Sequence, residues 1–245
     1  MFQFATRQVI ADDYYWVGGS GSWSELDHWA TSSGGSTMHF TVPTAIDDVF
    51  FDANSFLQPN QVVTIDLAGS GLQAACKNMN WIGVTNSPTL TGNSLNSLRI
   101  FGSLTLSANM NNDFLGDIKL ESGQLANQVQ TNGVPIKGNL IFSGDGGWNL
   151  TDNIVCQKKF IHQRGSLNLL DIILTCHQGY DSQGIETRSI LLNHSRLAIY
   201  GGMIITTDNL TLSADNSTIT IYGADIGSRI QGTNSVSFNN LTFSN

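Results

Sequence analysis

Charge is scarce in this 245-residue chain, with Asp, Glu, Lys and Arg together making up 12%. The cations are scarcer than the anions, 11 Lys and Arg against 19 Asp and Glu, for a net charge of −8. That balance excludes a phosphate-binding surface, which needs clustered Lys and Arg, so no nucleic-acid partner is expected. Uninterrupted apolar runs are missing as well. None reaches the roughly 18 residues of a membrane-spanning helix, so no membrane span is expected. Only three cysteines occur, Cys76, Cys156 and Cys176. No C-x-x-C pair lies among them, which removes support for a zinc site or a thioredoxin-type motif. Cys156 and Cys176 each close an apolar run and can stack as neighbours or, geometry permitting, bridge. Free Cys is usually a small buried hydrophobe, and that is the favoured reading.

What is present is β-forming. Apolar residues make up 40%, enough for a continuous core. The 25 glycines and the abundant Asn, Ser and Thr disfavour helix, because these residues compete with the helix backbone or leave it too free. From about residue 88 a loose repeat runs to the end: a small polar residue, Leu, any residue, then Leu or Phe, usually followed by Ser. Its leucines stand at positions 104, 140, 167, 210 and 241, at intervals of 36, 27, 43 and 31 residues. Such irregular spacing suits a right-handed parallel β-helix, whose coils vary in length at their turns. A β-sandwich uses similar strands, but two-residue hairpin signals are few, Asn132-Gly133 and Asp145-Gly146 alone. The expected fold is all-β, a parallel β-helix (β-solenoid) with an N-terminal aromatic cap. The expected division is a leader or tag remnant over 1–13, a cap over 14–60 and a β-helix body over 61–245, the whole a fragment of a longer protein.

Three of the five tryptophans fall in one stretch, Trp16, Trp23 and Trp29, around the glycine-rich Gly18-Gly19-Ser20-Gly21. Tryptophan faces stack on sugar rings, so Trp16, Trp23 and Trp29 with His28 form a candidate carbohydrate platform. The competing reading has these aromatics, with Trp81, plugging the open end of the β-helix, where unpaired backbone and apolar core must be covered. Their place near the chain start favours the plug. Asp47, Asp48 and Asp52 are candidate calcium ligands through their carboxylate oxygens. No EF-hand spacing or glycine-rich calcium nonapeptide accompanies them, so turn-making carboxylates are the plainer reading and a structural calcium is the one cofactor considered. Adjacent Asp47 and Asp48 on a strand point to opposite faces, a poor start for a shared catalytic site. No polysaccharide-cleaving set of converging carboxylates is present, and the five histidines are scattered. His162 and His177 flank strand pieces, where solvated loop positions are expected.

The segments Tyr15-Trp16-Val17-Gly18-Gly19-Ser20-Gly21-Ser22-Trp23 through His28-Trp29, Pro43-Thr44-Ala45-Ile46-Asp47-Asp48-Val49-Phe50-Phe51-Asp52 and Cys76-Lys77-Asn78-Met79-Asn80-Trp81 occur in that order. Together they resemble motifs near the start of large adhesin-like proteins of Bacteroidetes. The resemblance covers about residues 14–84, and the body matches only in repeat style. It implies an extracellular or cell-surface location, export by the type IX secretion machinery, in some cases a link to gliding, and surface glycans or extracellular proteins as partners. The expected role is a non-catalytic rigid stalk or binding module. The alternative is a polysaccharide-binding or polysaccharide-cleaving β-helix domain, a lyase or a glycoside hydrolase.

Overall fold

The computed structural model describes residues 10–67, 73–223 and 227–244. Most of the segment expected to be a leader remnant lies outside them. Asp13 is already in the fold, where it pairs with Asp48.

The chain winds into a β-solenoid of about eight stacked parallel coils. Each full coil contributes short strands to three faces. The front sheet has ten strands and the rear sheet eight. A lateral face between them is split into a four-stranded and a five-stranded sheet. The split falls where the chain turns at Asn132-Gly133 and passes Pro135. There a single bridge, Ile136 to Cys156, carries the ladder, and Asn112 Nδ2 reaches across to the Pro135 carbonyl at 3.0 Å. Proline has no N–H to donate, which is why regular pairing lapses at that coil.

Two-residue alternation decides which side chains enter the core. On the front sheet the inward ladder is Tyr14, Val49, Met79, Leu104, Val129, Leu150 and Leu169, each residue the register partner of the next. All seven are buried. The steps between these partners shorten from 35 residues (Tyr14 to Val49) through 30, 25, 25 and 21 to 19 (Leu150 to Leu169). The leucine motif falls on different faces: Leu104, Leu167 and Leu210 on the front, Leu140 on the rear, Leu241 on the lateral face. Its irregular intervals therefore count thirds of a coil as well as whole coils.

On the outside of the front sheet the two rows are polar and uncharged from Asn78 to Asn168, with Phe50 before that stretch and the exposed Leu191 after it. One row runs Asp13, Asp48, Asn78, Ser103, Gln128, Asn149, Asn168. A second runs Tyr15, Phe50, Asn80, Thr105, Gln130. At the corners asparagine amides tie coil to coil, as Asn132 Nδ2 to the Leu106 carbonyl (2.8 Å) and Asn193 Nδ2 to that of Leu169 (2.7 Å) show. Both asparagines have positive φ, 49° and 47°, a conformation asparagine tolerates better than most residues.

Cys156 and Cys176 stand opposite each other in register on the lateral face. Both are free and fully buried, as is Cys76. Burial pushes the Cys156 thiol up to about 11 and raises those of Cys76 and Cys176 well above the ordinary thiol value, so all three stay protonated and inert at neutral pH. The two neighbouring thiols stack as small hydrophobes and do not bridge.

Candidate functional site

The N-terminal aromatics close the end of the solenoid. The strand Asp13–Trp16 carries Tyr14 and Trp16 inward, and the chain then turns through Gly18 and Gly19, both at φ near +80°. It returns antiparallel as Trp29–Ala30, the terminal strand of the front sheet. Trp16 donates from Nε1 to the Gly19 carbonyl (2.7 Å), and Trp29 from Nε1 to that of Trp23 (2.9 Å). Trp29 meets Trp16 and Trp23 edge to face at 4.9 and 4.7 Å. Phe51 and Trp81 continue the stack into the next coils, 3.8 Å apart and 11° from parallel. His28 lies flat on Trp16 at 4.6 Å and bonds through Nδ1 to the Val17 carbonyl at 2.6 Å. Gly21 makes room for that imidazole, since a Cβ there would sit 1.9 Å from His28 Nε2.

The structure thus brings the four platform residues together, but as packing. Trp16, Trp23 and Trp29 are each 0% exposed, and His28 is 8% exposed. Their faces are taken up by one another and by Phe51, which is the arrangement of a plug.

The three aspartates serve the turns around them. Asp47 is buried and accepts from the backbone N–H of Asp12 (3.0 Å), the N–H of Thr44 (2.8 Å) and the Thr44 hydroxyl (2.6 Å). Asp48 points outward and accepts from Asn78 Nδ2 at 2.7 Å, and Asp52 accepts from the Asn54 N–H at 2.9 Å. Among the described residues, the group with metal-ligand atoms close together is a different one, Glu25, Asp27 and His28, within 4.8 Å of one another. Its two carboxylates are exposed, and that of Glu25 already accepts from the Ser22 N–H.

Two buried polar groups lie outside the predicted set. His162, expected in a solvated loop, is 0% exposed. Alternation puts it in the inward row of the rear sheet, directly after Phe142. Burial pushes its pKa down to about 4, the nearby Arg188 adding to the fall, so the ring is neutral and bonds through Nε2 to the Gly165 carbonyl at 3.1 Å. Arg188 is also 0% exposed. Its guanidinium makes six hydrogen bonds, all to neutral oxygens: the carbonyls of Ser182, Gly184, Glu186, Thr206 and Asp208, and the Ser182 hydroxyl. It pins the 182–188 corner to the next coil. Nothing in the local sequence marks Arg188 for burial.

Solvent-facing aromatics form two stacks away from the expected platform. Tyr15 and Phe50, outward on adjacent coils of the front sheet, stack at 4.9 Å with planes 17° apart. On the lateral face His177, Tyr200 and Tyr222 form a second outward stack, at 5.3 and 4.5 Å. Strand alternation was the available signal, because Tyr15 lies between the inward Tyr14 and Trp16.

A recess of about 490 Å³ lies at the front-to-lateral corner, where longer coils give way to shorter ones and Leu106, Asn132, Asp152 and Asn153 line it. Several of its polar groups are already engaged. The Asp152 carboxylate accepts from Thr131 and Asn132, and Asn153 Oδ1 accepts from the Ile173 N–H. Compared with protein-family models, curated proteins and solved structures, the chain matches none. The fold and the chemistry of its surfaces are therefore the ground for a functional reading.

Proposed function

We propose that this chain is a non-catalytic, adhesin-like module: a rigid β-solenoid stalk that holds a binding surface away from the cell. The supporting observation is the front face, a sheet of ten strands whose outward rows from Asn78 to Asn168 are Asn, Ser, Thr and Gln. Coils stacked at about 4.8 Å make a rod roughly 40 Å long from about eight of them. Among the described residues one apolar core runs from the aromatic plug through the stacked coils, as a stiff rod requires.

The aspartates Asp47, Asp48, Asp152 and Asp208 spread along the rod as turn and ladder partners, whereas a hydrolase or lyase needs carboxylates or a base converging on one bond. This reading carries with it export to the cell surface by the type IX machinery, and surface glycans or extracellular proteins as partners.

Two measurements test it. A tagged full-length product of the gene, expressed in a Bacteroidetes host, is expected to be protease-accessible on intact cells; confinement to the cytoplasm overturns the location. The purified chain, incubated with plant and bacterial polysaccharides, is expected to release no new reducing ends or unsaturated products. Turnover abolished by a single carboxylate substitution would instead establish the cleaving alternative.

A further inference from the structure

The outer face of the front sheet also has the chemistry of a ligand strip, and on the stalk-and-binding-module reading it names the ligand class. We infer that it binds an extended, neutral polysaccharide, running along the solenoid axis from the Tyr15–Phe50 stack across the coils that follow.

Several of its polar groups are unspent. Asn80 uses Oδ1 for the Ile82 N–H at 2.8 Å, and its NH₂ group has no partner among the described residues. Asn149 accepts from Asn168 Nδ2 at 3.0 Å, and its own NH₂ is likewise unpaired among them. The Thr105 hydroxyl and the Gln128 amide make no side-chain hydrogen bond within the described chain, and Gln128 is exposed. Amides and hydroxyls offer donors and acceptors together, as a sugar hydroxyl requires. One falls on each of four successive coils, with a rise of about 4.8 Å per coil, close to the length of one pyranose ring in an extended chain, and the line steps from one outward row to the other between Thr105 and Gln128. The scaffold holds them still, so binding loses little conformational entropy.

Charge selects the ligand. In a chain with 19 acidic and 11 basic residues, the two outward rows carry neither between Asn78 and Asn168. Between Asn78 and Asn168 an anionic polymer finds no cation and a basic one no anion, while a neutral hydroxylated chain finds partners; the rows' two carboxylates, Asp13 and Asp48, stand beside Tyr15 and Phe50 and further disfavour an anionic chain. At the N-terminal end the half-buried Tyr15 and Phe50 rings supply apolar surface and a phenol for a sugar's C–H groups and hydroxyls.

The test is affinity electrophoresis of the full chain in native gels containing hydroxyethylcellulose, arabinoxylan or alginate. The expected result is retardation in at least one of the two neutral gels and none in alginate. Thr105→Asp with Gln128→Glu, and separately Tyr15→Ala with Phe50→Ala, should weaken the apparent affinity at least tenfold. Tyr200→Ala, on the lateral face, should leave it unchanged. Should a front-face variant fail to fold, amide shift mapping of the wild type with cellohexaose and xylohexaose serves in its place, with perturbations expected at Thr105, Gln128 and Asn149.

Absence of retardation in both neutral gels, retardation in alginate alone, or binding indifferent to the front-face changes overturns the inference. So does concentration-dependent dimerisation abolished by the same changes, which would assign the face to a second copy. Surface display without neutral-glycan binding would end this inference and leave the stalk reading standing, whereas polysaccharide turnover would end the stalk reading itself.

Discussion

The Trp16 indole and the His28 imidazole lie face to face, ring centres 4.6 Å apart and planes 5° from parallel. Twelve positions apart in the chain, they meet because the turn through Gly18 and Gly19 doubles the backbone over and the Val17 carbonyl holds the imidazole at 2.6 Å. This pair is part of the plug's packing, which Phe51 continues toward the following coils. It makes the plug's contribution to stability measurable.

Trp23→Ala removes a fully buried indole whose partner is Trp29 at 4.7 Å. A loss of about 3–5 kcal/mol in unfolding free energy is expected, the usual range for deleting a buried aromatic side chain. Chemical denaturation read by far-UV circular dichroism checks it; unchanged stability would show that the indole does not pack the plug.

The indole N–H groups of the plug are unequal. Trp29 donates to the Trp23 carbonyl at 2.9 Å, while Trp23 Nε1 is buried with no partner among the described residues. Trp29→Phe orphans a buried carbonyl, and Trp23→Phe discards an N–H that was already unsatisfied. Trp29→Phe should therefore be the costlier of the two by about 1 kcal/mol, measured by parallel urea titrations.

His162 makes the fold acid-sensitive. Its pKa is about 4 in the folded chain against the ordinary 6.5, so below pH 6.5 the unfolded state takes up a proton that the folded state refuses. The stability tied to His162 is present above pH 6.5 and lost as the pH falls toward 4, by roughly 3 kcal/mol in all. His162→Phe, which repeats the Phe142 beneath it in the ladder, should flatten the dependence of unfolding free energy on pH across that window. An identical slope in the variant would count against the assignment.

Arg188→Ala strands five carbonyls around a buried void, and Arg188→Lys can satisfy only some of them. A loss of about 2–4 kcal/mol is expected for the alanine variant, with the lysine variant in between. Hydrogen exchange should show the 182–188 corner opening ahead of the rest of the rod. Uniform protection in both variants would mean that the guanidinium does not hold the corner.

The β content, the alternation and the aromatic plug were legible in the residues themselves, because period-two patterning and turn composition act locally. Alternation alone also separates Tyr15 from Tyr14 and Trp16, but it leaves open which side of the strand is the core. Stacking with residues elsewhere in the chain decides that. Tyr15 finds Phe50 outside while Trp16 finds His28 and Phe51 inside. The same holds for His162 and Arg188, polar residues turned inward by the register of neighbouring coils and made tolerable only by carbonyls from elsewhere in the chain. The sequence by itself determined that the chain is a stack of short strands around an apolar core. The tertiary structure alone decided how long each coil is, where the lateral sheet breaks and which polar side chains line up outside. Those outcomes depend on backbone pairing between residues some 20 to 35 positions apart, which no local pattern encodes.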